Sequence, residues 1–246
     1  MNKNVDEIFS LLEKEEYLSA LNLCGELIDC FQTRFMEDLT VNTATDYVGA
    51  VILHAKICSV IKKPWKSYNY LETSRGALRF LKDFMTDSNT LAETYNSYAE
   101  AYAQGSFLPE AVSCFVDAAR YFDSKEKCAD ALSNAFFYQA RFGKKVIDDL
   151  SFANDNLGKE KVIQLKKNAR DEANSLIQTD PIESSDAFLA VRYETEKITD
   201  EILAEKREED VPFCLLYWET KKNVLKERFS IDWKSPADMN PDIRFY

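Results

Sequence analysis

The sequence predicts an all-α fold, and three observations carry that expectation. Apolar residues recur at three- and four-residue steps through most of the 246-residue chain, which is the period of one helix face. Glycine and proline are scarce, six of each, too few for the many tight turns that sheets need. Hydrophobic residues make up 46%, enough for a continuous core and against wholesale disorder. We read about ten helices as antiparallel hairpins stacked into an α-solenoid over residues 1–230, with a non-helical tail, 231–246, packed on that domain.

Taken in order, Val5 to Lys14 is a short amphipathic helix carrying Ile8, Phe9, Leu11 and Leu12. Glu15 and Glu16 lead into a second helix, Tyr17 to Phe31, with Leu18, Leu21, Cys24, Leu27 and Ile28 on one side. Thr43 to Lys62 is apolar on most sides, so a central buried helix is expected there, broken at Lys63-Pro64. Trp65 to Met85 follows, and Asp87-Ser88-Asn89 gives a cap signal. Lys125 to Phe142 reads as a helix closed by Gly143, Lys144 to Leu157 as a weaker one, and Lys159 to Ile177 as a polar-faced one. Ser184-Ser185-Asp186 caps a helix from Ala187 to about Lys206. The run Glu205 to Asp210 reads as a solvated end, and Val211-Pro212 starts a last helix to Phe229.

The most informative stretch is AETYNSYAEAYAQGSFLPEAVSCFVDAARYFDSK, Ala92 to Lys125. Tyr95, Tyr98, Ala99 and Tyr102 share one helical face; Leu108, Ala111, Phe115 and Ala118 share another. Gly105 between them can take the left-handed conformation that ends a helix, Ser106 can cap the next, and Pro109 fits its first turn. Helices joined by so short a link pack antiparallel. Tyr95-x2-Tyr98-Ala99-x2-Tyr102 followed by Ala111-x3-Phe115 resembles a tetratricopeptide repeat, with Ala99 in place of the usual Gly and Asp123 in place of the closing Pro. The stretch Tyr17-x2-Ala20-x3-Cys24-x2-Leu27 echoes Leu108-x2-Ala111-x3-Phe115-x2-Ala118 at an offset of 91 residues, which is no multiple of the family's period.

That resemblance implies a concave face lined by the first helix of each hairpin. Such a face presents Asn96, Glu100, Asn134, Phe137 and Tyr138 to a protein or peptide. Some family members clamp a partner's terminal carboxylate with basic and amide residues. The matching positions here are Asn96, Glu100, Asp130 and Asn134, and the two acids argue against a clamp.

Net charge −11 disfavours nucleic acid and suits a basic partner. The Lys221, Lys222, Lys226 and Arg228 group reads as a solvated helix face. No apolar run is long enough to span a membrane, the N-terminus lacks a signal-peptide core, and six scattered cysteines without C-x-x-C read as buried, reduced thiols, so a cytoplasmic protein is expected. His54 is the single histidine, set in an apolar helix; with Cys58 it makes an i, i+4 pair but no third metal ligand is indicated, and no cofactor is expected. Neither a phosphate-binding Gly loop nor a catalytic triad is visible.

The expected function is therefore a non-enzymatic protein- or peptide-binding module. The alternatives are an acidic inhibitor or immunity-type protein that captures a basic partner, and a helical enzyme with an unrecognised site. The tail, rich in Trp233, Ile243, Phe245 and Tyr246, either caps the last hairpin or is itself what a partner reads.

Overall fold

A computed structural model of the chain describes residues 3–205 and 213–245. The helices are α1 (Lys3–Glu13), α2 (Tyr17–Glu37), α3 (Val41–Val60), α4 (Tyr68–Phe84), α5 (Ser88–Gln104), α6 (Leu108–Tyr121), α7 (Lys125–Phe142), α8 (Ser151–Leu157), α9 (Lys159–Ser175), α10 (Asp186–Glu205), α11 (Phe213–Phe229) and the one-turn α12 (Pro236–Met239). Short 3-10 segments, Pro64–Ser67 and Pro181–Ser184, precede α4 and α10, and no strand occurs among the described residues. Most helices pack chiefly on a neighbour in sequence, whereas α9 packs mainly on α7. The expected solvated run and the Val211-Pro212 helix start fall largely on 206–212, outside the described residues.

Three of the connections are the same turn. Glu15, Lys62 and Ser106 take left-handed backbone angles, with φ of 61°, 60° and 62°. At each, the next amide bonds back five residues, Glu16 to Leu11, Lys63 to Cys58 and Phe107 to Tyr102, the closure that satisfies orphan carbonyls at a helix end. The turns stand 47 and 44 residues apart, and Gly143, φ 77°, closes α7 a further 37 on. Burial repeats with them. Ala20, Cys24 and Leu27 after the first turn, Ser67, Leu71 and Ser74 after the second, and Ala111, Phe115 and Ala118 after the third are all at most 1% exposed.

Gly105 differs from expectation. Its φ is −79°, an ordinary value, and the left-handed residue is Ser106; the N-cap of α6 is Phe107, with no side-chain cap. The glycine is needed for room: a Cβ there would stand 2.6 Å from the Phe107 ring. The weak helix expected from Lys144 shrinks to α8. Residues 144–150 instead run as a loop pinned by Gln139, whose Oε1 accepts from the amides of Val146 and Ile147 at 3.0 and 2.9 Å.

One large core runs from Ile8 to Ala169, and polar tethers cross it. The hydroxyls of Ser74 and Tyr98 lie 2.6 Å apart and Tyr102 donates to Glu72 at 2.8 Å, so the tyrosines of α5 register against α4. A second, small core gathers Phe188, Leu225, Ile231 and Trp233, from α10, α11 and the segment after it. Trp233 is 2% exposed and donates its indole N–H to Glu183 at 2.8 Å, and Ser235 with Asp238 forms a capping box that starts α12 within the tail. Four cysteines, Cys24, Cys58, Cys114 and Cys128, are buried, whereas Cys30 is exposed and Cys214 partly so.

Candidate functional site

The two cores meet along α10, and the contact is polar. Arg192, 8% exposed, pairs with Glu110 and donates to the Tyr68 hydroxyl at 3.2 Å, while its guanidinium lies 4.7 Å over the Phe107 ring. Beside it, Lys63 reaches Asp200 at 2.5 Å, and Tyr193 packs against Trp65 and Tyr68 at 5.7 Å from each. The buried side-chain atoms without a hydrogen-bond partner, among the described residues, all lie on α10 or its partner Glu110: Nε and Nη1 of Arg192, Oε2 of Glu110, and the hydroxyls of Thr195 and Thr199. Such atoms are rare in native interiors, and their clustering marks where the fold departs from plain packing.

Alongside this seam opens a cleft of about 760 Å³, walled by the α5–α6 turn, the end of α7, residues 176–184, α10 and α11. Eight aromatic rings line it: Phe107, Phe137, Tyr138, Phe142, Phe188, Tyr217, Trp218 and Trp233. Size and lining fall in the range of small-ligand and peptide sites. Phe137 and Tyr138, singled out from the sequence, both line it, and Tyr138 stacks on the buried Phe115 with an interplanar angle of 3°. Asn96, Glu100 and Asn134 are not among its lining residues; the Asn96 amide donates to Glu100 at 2.8 Å along the surface of α5, and Asn134 is exposed on α7.

Lys221 is the clearest miss of sequence reading. It is not on a solvated face: its ammonium lies within 6 Å of the Phe188, Tyr217 and Trp233 ring centres and bonds Glu196 at 2.6 Å. Burial alone would lower its pKa, but Glu196 more than reverses this and holds the ammonium above its ordinary value. Burial pushes the Tyr217 hydroxyl up, so it stays protonated and donates to Glu196. Burial also raises Glu183, against the lowering pull of Trp233. Of its aromatic partners only Tyr217, one turn earlier on α11, is visible in the local pattern; Phe188 and Trp233 come from other elements.

A second depression of about 730 Å³ lies on the other flank of α10, lined by His54, Trp65, Tyr70, Tyr193 and charged residues of α2 and α10. His54 is 5% exposed, its Nδ1 is 3.5 Å from the Cys58 sulfur, and burial holds its pKa down at about 4. Burial raises the Cys58 thiol to about 12. Neutral imidazole beside a protonated thiol is the reverse of the thiolate–imidazolium pair that nucleophilic chemistry uses. Among the described residues, no cluster of three His, Cys, Asp or Glu could hold a metal, and no helix is long and apolar enough to cross a membrane. No family model, no curated protein and no solved structure matches the chain.

Proposed function

We propose that the chain is a non-enzymatic protein- or peptide-binding module, and that the aromatic cleft between the large core and the C-terminal helices is its binding face. The observation that carries the reading is the cleft itself: eight aromatic side chains held in a concave wall, with Phe137 and Tyr138 among them. Aromatic anchors in a preformed recess give much contact area at little cost in ordering. We also read the helix pairs joined by the three matching turns as antiparallel hairpins of a solenoid related to tetratricopeptide repeats. Their spacing and matched burial support this, and longer helices than the family's account for a period of 44 to 47 residues. The buried, protonated thiols fit a reducing, cytoplasmic setting.

Selection from a displayed peptide library, followed by titration of the enriched peptides, tests the proposal. Selected peptides should bind the intact chain and lose about tenfold or more in affinity on Phe137→Ala, the cost of one anchor. Failure to enrich any sequence, or affinities indifferent to Phe137→Ala, would remove the cleft as a peptide site. The rival reading, an acidic inhibitor of a basic partner, rests on net charge −11. It calls for selected sequences rich in Lys and Arg, with binding that collapses as salt rises.

A further inference from the structure

The cleft's hydrogen-bonding groups are unevenly matched, and the imbalance points to a ligand class. Three carboxylates line it, and each already accepts from the protein. Glu196 takes Lys221 and Tyr217, Glu183 takes the Trp233 indole, and Asp180 takes the amides of Ile182 and Lys234. Four cations line it, and three have protein partners: Arg141 donates to the Ile177 carbonyl, Lys144 pairs with Asp186 and Lys221 with Glu196. Arg192 is the decisive member, because it is more than nine-tenths buried and yet its Nε and Nη1 find no acceptor. Its ion-pair partner Glu110 engages only Nη2 and does not line the cleft, so those two donors stay spare. A buried guanidinium with spare donors is costly to leave unmatched and strong when met by an anion in fork geometry.

We propose that the cleft binds an organic anion, a carboxylate carried on an aromatic or aliphatic body, with the carboxylate directed to Arg192 and the body lying against Phe137, Tyr138 and Trp218. The inference rests on the reading of this cleft as the binding face and adds the chemistry of what fills it. The site is separate from the clamp positions named from sequence, Asn96, Glu100, Asp130 and Asn134, none of which lines the cleft. A free organic acid and the C-terminus of a peptide both carry this chemistry.

Four probes divide the outcomes: 3-phenylpropionate, its primary amide, and the peptide acetyl-Ala-Ala-Phe with a free or an amidated C-terminus. Binding to the full chain is read by indole fluorescence, since Trp218 and Trp233 line the cleft, and by calorimetry. Each acid should bind at least tenfold tighter than its amide. Arg192→Lys, checked for fold by circular dichroism, should abolish that preference. Glu110→Gln, which removes the carboxylate competing for Arg192, should tighten the acids several-fold. The more favourable acid identifies the source, small molecule or chain end. Acid and amide binding equally would overturn the anion inference and leave the peptide-binding reading intact. If the small acid binds with the stated preference while no library peptide does, this inference stands and the peptide reading falls. No binding of any probe at roughly 10 mM overturns the inference.

Discussion

His54 offers a quantitative check on how the large core is built. Its imidazole, carried on α3, is largely buried against Tyr70, edge-on at 4.7 Å, and desolvation lowers its pKa from 6.5 to about 4, assisted by the nearby Lys66 charge. The unfolded chain therefore binds a proton between those two values that the folded chain refuses. Stability from this source is complete above about pH 6.5, falls as pH drops toward 4, and changes no further below that. Holding the group at about 4 rather than 6.5 makes the full effect about 3 kcal/mol, most of which is gone by pH 4.5. Other groups in the chain also change protonation over this range, so the informative quantity is a difference of differences. Urea unfolding of the wild type and of His54→Gln should be compared at pH 7 and pH 4.5. The wild type should lose about 2 kcal/mol more than the variant over that interval. Equal losses, or an imidazole that titrates near 6.5 by NMR in the folded protein, would refute the claim that this imidazole is desolvated.

The other predictions concern packing. Gly105→Ala should destabilise by about 1–3 kcal/mol, because its Cβ would meet the Phe107 ring at 2.6 Å, whereas the adjacent Ser106→Gly should stabilise by up to about 1 kcal/mol by freeing a left-handed residue; opposite shifts in the urea midpoint check the pair. Gly76→Ala, in α4 with open space around the new methyl, should stabilise by about 1 kcal/mol in the same assay. Ala111→Leu should cost about 1–3 kcal/mol, since Ala111 is fully buried; an unchanged midpoint would count against the close approach of α6 to its neighbours. Trp233→Ala should lower stability by about 3 kcal/mol and deprive Glu183 of its donor, measured by thermal unfolding; an unaltered melting curve would show that the tail contributes nothing to the second core.

Helix type and many helix ends were legible because they are local properties. Apolar spacing gave the faces of α2, α6 and α7, and Asp87 and Ser124 cap α5 and α7 through the amides of Thr90 and Lys127. Ends set by backbone geometry were less legible. The left-handed position fell on Ser106, beside the glycine that sequence favours, because Gly105 answers a steric demand from Phe107 that only the folded turn creates. The middle copy of the recurring turn escaped notice for a related reason. Its small buried positions are Ser67 and Ser74 rather than alanine, and a 3-10 segment opens its second helix.

Composition alone settled that the chain is acidic, helix-rich and provided with enough apolar residues for a core. What tertiary structure decided was the environment of each charge. Lys221 and Lys222 are neighbours in sequence, yet one is enclosed by Phe188, Tyr217 and Trp233 and the other pairs with Asp238 in solvent. Arg192 and Glu110, far apart in the chain, became a buried pair because α10 crosses the α5–α6 turn. A side chain's type follows from the sequence, and helix period follows from nearby residues. Burial, charge partners and the shape of a cleft depend on distant segments brought together, and no local pattern encodes which segments those are.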